Sequence, residues 1–307
     1  MKSRFAPDRG LTRRMLATTF LLGLLYVVFT AALIVLIKSA VLAIVIAGGL
    51  LFAQYWFSDR IALYAMHGRI VTPEQAPELH GVIDRLCALA DMPKPAVAIA
   101  DVDVPNAFAT GRSPNKAVVC ATTGLMRRLE VEELEGVLAH ELSHVAHRDV
   151  AVMTVASFLG VLAGLITRFG LYAGFYGGFG DNRDGDDEGD NTALVLMAVV
   201  AVSAVVYALS FLLTRALSRY RELSADRSGA MLTGRPSALA SALAKVSGEI
   251  ARIPTRDLRQ AEAFNAFFFA PAFAPGFSLT SLFATHPPLD RRLEQLADLS
   301  RQPGPQV

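Results

Sequence analysis

The chain has 307 residues, 53% of them hydrophobic and 19% charged, with a mean hydropathy of +0.40. That composition excludes a disordered chain and points to a membrane protein rather than an ordinary soluble domain. The net charge is +1, from 29 Lys+Arg against 28 Asp+Glu, so no basic field is present to hold nucleic acid and no nucleic-acid partner is expected. The two cysteines, Cys87 and Cys120, exclude a disulfide scaffold and a cysteine-ligated zinc site and read as small buried residues.

Lys2, Arg4, Arg9, Arg13 and Arg14 precede an almost unbroken apolar run from Met15 to Ile37. At about 1.5 Å per residue this run crosses a hydrocarbon core roughly 30 Å thick. A second run, about 40–57, follows directly after Lys38 and Ser39, and the two read as a transmembrane hairpin. The length of the first run, the lack of a small-residue cleavage pattern and the immediate second span argue against a secretory signal peptide. Residues 74–90 have helical periodicity, with Leu79, Val82, Ile83, Leu86 and Leu89 as the apolar face and Thr72-Pro73 placed to start the helix. Ala96–Ala100 and Lys116–Ala121 read as short strands, with a turn over 111–115 between them. Residues 132–148 and 236–251 read as helices.

Two further apolar runs, 150–180 and 192–213, are long enough to span. The stretch 181–190 between them has six acids against one base and reads as a solvated loop; it lacks the distal Glu of a calcium-binding EF-hand. Seven Phe lie within 264–283, where they either pack a core or form a flap at the bilayer interface. Pro287-Pro288 precede a helical pattern over 289–296, and the tail from Arg301 reads as a frayed end.

Lys and Arg near the spans set the orientation. The five basic residues before the first span, Arg60 and Arg69 after the second, Arg127, Arg128 and Arg148 before the third, and Arg215, Arg219 and Arg221 after the fourth share one side; Lys38 and Arg183 lie on the other. Four spans with both termini in the cytoplasm satisfy this distribution. The expected organisation is a tail and hairpin over 1–57, a first cytosolic part over 58–149, a second transmembrane pair with an acidic extracytoplasmic loop over 150–214, and a second cytosolic part over 215–307. The expected fold is mainly α, four transmembrane helices with a cytosolic α+β domain carrying a small sheet. No targeting segment precedes the first span, which favours a bacterial plasma (inner) membrane.

The chemistry is concentrated in His140-Glu141-Leu142-Ser143-His144, an H-E-x-x-H motif within the 132–148 helix. Residues four apart lie about 40° apart around a helix, so both imidazoles leave one face and can hold one metal ion. Glu141 points about 100° away from His140, where it can serve as general base toward metal-activated water and pass the proton to the leaving amine. Gly136 precedes His140 by one turn and is expected to leave open space under it.

A catalytic zinc site takes three protein ligands and keeps a fourth position open. A third His six residues past His144 is absent, since that position is Val150, and His147 lies on the neighbouring side of the helix. Glu222 and Asp226 in Arg219-Tyr-Arg-Glu-Leu-Ser-Ala-Asp226 are four apart and share a helical face. Either Glu222 completes a His₂Glu set with Asp226 accepting from a liganding imidazole, or the two belong to a surface ion-pair network with Arg219, Arg221 and Arg227.

Together these segments resemble the HtpX-type membrane zinc metalloproteases, whose wider peptidase family includes the CAAX prenyl proteases. Asn106-Ala-Phe-Ala-Thr-Gly111, Thr123-Gly-Leu125, His140 to Asp149, Arg221-Glu-x-x-Ala-Asp226 and Thr285-His-Pro-Pro288 carry the resemblance across about 70–295. It implies a gluzincin-type domain with one Zn²⁺ per chain on His140, His144 and Glu222, and Glu141 as catalytic base. It also implies endopeptidase action on misfolded or damaged membrane proteins on the cytosolic side, as part of stress-linked quality control. Lys116–Ala121 is either a sheet edge beside the metal helix, the expected case, offering backbone groups to an extended substrate, or an ordinary internal strand. Asn106 either supplies an amide to the substrate or holds a turn. His286 or Arg221 is placed to donate to the oxyanion, while His286 equally suits a helix entry. The alternatives are a CAAX prenyl protease, for which four spans are few to enclose a lipid-sized chamber, and a catalytically silent zinc-containing membrane scaffold, which has no need of Glu141.

Overall fold

A computed structural model of the protein describes residues 9–37, 66–149, 187–252 and 287–301, with single positions within 45–64 and 152–171. Helix α1 (Arg9–Ile37) is followed by strand β1 (Gly68–Ile70), helix α2 (Pro77–Ala90), strands β2 (Ala96–Ala100) and β3 (Ala107–Thr110), and a 3-10 turn over Pro114–Lys116. Strand β4 (Val118–Thr122) and helices α3 (Thr123–Arg128), α4 (Val131–His147), α5 (Asp187–Thr233), α6 (Pro236–Arg252) and α7 (Leu289–Arg301) complete the described elements. The chain divides into two compact units, Met1–Thr12 with Phe57–Ala151 and Leu217–Val307, and Arg13–Trp56 with Val152–Ala216.

The first unit holds a four-stranded sheet in the order β1-β2-β4-β3. β2 and β4 are parallel, Ala98 opposite Cys120, while β1 and β3 pair antiparallel with β2 and β4. The expectation that Lys116–Ala121 forms a sheet edge is corrected here: the strand starts at Val118 and runs inside the sheet between β2 and β3. All five of its residues are buried, the pattern of a strand covered on both faces. The edge that packs on α4 is β3, which ends at Gly111 (φ +124), where a Cβ would strike the carbonyl oxygen of Lys116.

Helix α2 starts three residues later than expected. The Thr72 carbonyl accepts from the N–H groups of Gln75 and Ala76 in a separate turn, and Pro77 rather than Pro73 takes the first helical position, where its missing N–H costs nothing. Leu79, Val82, Ile83 and Leu86 are buried as the periodicity requires, whereas Leu89 is 44% exposed. Helix α4 opens with the Glu130 N–H donating to the Glu133 carboxylate at 2.9 Å and closes where Arg148 turns left-handed (φ 57). Val137, Leu138 and Leu142 of α4 join Ile83 and Leu86 of α2, Leu239 and Leu243 of α6 and Leu296 of α7 in one core. Gly136 does not leave open space: α6 lies against it, and a Cβ there would sit 3.2 Å from Leu239 Cα.

In the second unit, Leu22, Phe29 and Leu33 of α1 pack with Leu159, Leu162 and Ala163 and with Val199 and Val206 of α5. Gly160 and Gly164 let that packing close: Cβ atoms there would lie 3.0 Å from Ser210 Oγ and 3.2 Å from the Tyr207 ring, the spacing by which small residues bring membrane helices together. Leu16, Phe20, Val27 and Val35 of α1 are exposed, as an apolar solvent requires. Among the described residues two segments, Arg9–Val35 and Met197–Thr233, are long and apolar enough to cross a membrane. Most of 40–57 and 150–180 lies outside the described residues. Asp187–Asp190, expected in a loop, form the first turn of α5, and α5 runs unbroken from the fourth apolar run into the segment that carries Glu222 and Asp226.

Candidate metal centre

Helices α4 and α5 bring His140, His144 and Glu222 together, with one ligand atom from each within 4.8 Å of the others. The two imidazole Nε2 atoms face each other at 3.2 Å. Glu222 Oε2 lies 3.5 Å from His140 Nε2 and Glu222 Oε1 lies 3.5 Å from His144 Nε2. All three residues are buried. The helices meet this closely because Gly229, two turns past Glu222 on the same face of α5, lies against the α4 backbone; a Cβ there would be 2.9 Å from the His140 nitrogen.

The outer imidazole nitrogens each meet a carboxylate. His140 Nδ1 is 2.9 Å from Asp226 Oδ1, and His144 Nδ1 is 2.9 Å from Asp149 Oδ2. A carboxylate there holds the proton on Nδ1 and turns the Nε2 lone pair inward. In the metal-free protein one proton shared among these atoms satisfies them, and once it is displaced the two Nε2 atoms and the Glu222 carboxylate offer their lone pairs to one cation. The buried carboxylates Asp149, Glu222 and Asp226 face the guanidinium groups of Arg221 and Arg292 around the site, so a cation bound there meets net acidic surroundings. The donor set therefore fits a divalent metal.

Glu141 is buried beside the histidines, and its Oε2 accepts the backbone N–H of Ala109 in edge strand β3 at 2.9 Å. Burial pushes its carboxyl up to about 7. Burial also disfavours a charged His140, but the hydrogen bonds to Asp226 and Glu222 outweigh it and raise that imidazole to about 9 in the metal-free protein. Burial pulls His144 down.

The other residues singled out in the sequence fall as follows. Asp226 Oδ1 lies 2.9 Å from His140 Nδ1, and Asp226 is gripped by Arg292 Nε and Nη2, both at 2.7 Å. Arg221 Nη2 donates to Glu222 Oε1 at 3.2 Å. Asn106 is buried at the entry of β3; its N–H donates to Thr122 Oγ1 at 2.9 Å and its carbonyl accepts the Thr122 N–H, so its backbone holds the corner. His286 and the Phe-rich stretch 264–283 lie outside the described residues.

Asp149 and Arg292 were missed as partners of the centre. Arg292 had a legible signal: it sits on the apolar stripe of Leu289, Leu293 and Leu296, where an arginine must find a buried anion. Asp149 follows the left-handed Arg148 at the end of α4, and that turn, which returns it to His144, has no sequence signal.

Residues 73–300 match the family model of peptidase family M48. The chain is 66% identical over 304 residues to "Protease HtpX homolog 1" of Streptomyces coelicolor, covering 99% of this chain and 97% of that protein. It is 52% identical over 303 residues to "Protease HtpX homolog" of Moorella thermoacetica, covering 98% of each. Its fold is similar to that of S. mikatae Ste24p, with a TM-score of 0.52 at 18% identity over 94% of this chain and 67% of that one. The chain belongs to peptidase family M48.

Proposed function

We propose that the protein is a membrane-bound zinc endopeptidase in which His140, His144 and Glu222 hold one zinc ion and Glu141 is the general base. The observation that carries this is the pair of inward-facing Nε2 atoms, each backed by a carboxylate on Nδ1, with the Glu222 oxygens across from them. A His₂Glu set is a catalytic rather than a closed structural zinc set. When bound, zinc supplies Lewis acidity toward water and the scissile carbonyl.

The chain's own groups supply the rest. Ala109 fixes one oxygen of Glu141, which leaves Oε1 to take a proton from the attacking water and hand it to the departing amine. Burial, which favours the protonated form of the Glu141 carboxyl, helps it hold the proton between the two transfers. Because the Ala109 N–H points away from β4, the alternation of an antiparallel ladder turns the backbone groups of Ala107 to the same outer edge of β3, which no strand among the described residues pairs. An extended substrate pairs there through main-chain bonds, which recognise conformation more than sequence. Misfolded or damaged membrane proteins present such segments. Four spans with both termini and the centre on the cytosolic side of a plasma (inner) membrane fit the Lys/Arg distribution. Arg221 steadies Glu222, and His286, by its place in Thr285-His-Pro-Pro288, remains a candidate donor to the oxyanion.

Metal replacement tests the proposal. The protein purified in mild detergent should carry about one zinc per chain by elemental analysis, lose cleavage of a denatured membrane-protein reporter on chelation, and regain it on zinc addition; Glu222→Gln should lose both metal and activity. Full activity after complete metal removal overturns it.

A further inference from the structure

Helix α7 reaches the metal centre through one side chain. Arg292 is 1% exposed and occupies a position of the apolar stripe of α7 where the period calls for a leucine. Its Nε and Nη2 each lie 2.7 Å from one oxygen of Asp226, and the Oδ1 it holds is the oxygen that lies 2.9 Å from His140 Nδ1. One turn further on, Gln295 Nε2 donates to the Leu223 carbonyl at 2.7 Å. Helix α7 thus grips α5 at both ends of the turn that separates Glu222 from Asp226. A planar two-pronged donor fixes the rotation of the carboxylate it binds, which a lysine ammonium does not.

We infer that Arg292 is a positioning residue for the metal centre: by locking Asp226 it sets the orientation of His140, so that metal binding and the docking of α7 are coupled. This rests on His140, His144 and Glu222 being the ligands. Because linkage is reciprocal, metal must tighten α7 as much as α7 tightens metal.

Zinc affinity of the full chain in detergent, measured by competition with a chromogenic chelator, tests this in the wild type, Arg292→Gln, Arg292→Lys and Glu222→Gln. Arg292→Gln is expected to bind zinc roughly 10- to 100-fold more weakly, the usual effect of losing an outer partner of a ligand, with part of the loss restored by Arg292→Lys. Hydrogen exchange of the wild type is expected to slow over 289–301 on zinc addition more than over α2. If Glu222→Gln loses zinc while Arg292→Gln keeps the wild-type affinity, the coupling is wrong and the ligand assignment stands. If neither changes affinity, the ligand assignment fails and takes this inference with it. Should Arg292→Gln not fold, exchange in the wild type decides: slowing in α7 supports the coupling, and unchanged exchange there overturns it.

Discussion

The backbone N–H of Ala109 donates to Glu141 Oε2 over 2.9 Å. One contact thereby joins edge strand β3 to the group proposed as general base. A hydrogen bond to a charged acceptor contributes about 1.5–3 kcal/mol. Ala109→Pro removes this donor and spares the ladder to β4, because the N–H concerned points away from it. The expected result is a kcat lower by roughly ten- to a hundredfold, read from steady-state cleavage of a reporter. An unchanged kcat would show that the edge strand does not hold Glu141.

The Gly229 contact predicts opposite outcomes for two glycine substitutions. At Gly229 a Cβ would lie 2.9 Å from the His140 backbone nitrogen, whereas at Gly248 in α6 nothing lies within 4 Å. Gly229→Ala must push α5 off α4 and should destabilise by about 1–3 kcal/mol, weakening metal binding as well. Gly248→Ala should stabilise by up to about 1 kcal/mol through helix propensity. Thermal unfolding of both variants, with and without zinc, checks the pair. A higher melting temperature for Gly229→Ala would contradict the close approach.

Much of this centre was legible in the sequence, because its parts are local. The i, i+4 spacing of His140 and His144 and that of Glu222 and Asp226 each place two side chains on one helical face whatever the rest of the fold does. The sheet was harder. β3 is four residues long and buried throughout, so it shows no alternation to mark it as a strand. Which strand forms the edge depends on a strand order that joins residues up to 32 positions apart, and β4 could not announce from its own residues that β3 lies outside it. Gly136 and Gly229 show the same limit: a glycine in a helix marks a close approach without naming the neighbour, which proved to be Leu239 for one and His140 for the other.

The metal-free centre should compete with metal for protons. Burial opposes the charge on His140, yet Asp226 and Glu222 raise it to about 9. That raised value stabilises the metal-free fold fully below the unfolded value of about 6.5, and the contribution is lost as pH rises through about 9. Metal needs the unprotonated nitrogen, so apparent zinc affinity should rise about tenfold per pH unit from near 7 and level off above about 9. Competition titrations across that window measure the slope, and a flat profile would show that His140 carries no proton to displace.

The most direct measurement compares the wild type with Glu141→Gln, both loaded with zinc in detergent and both assayed for metal content and for cleavage of a denatured membrane-protein reporter. The variant should bind zinc as the wild type does and cleave roughly 10²- to 10⁴-fold more slowly, with chelation stopping whatever activity remains. Equal cleavage by the two proteins would contradict Glu141 as general base, and with it the hydrolytic centre proposed for this chain.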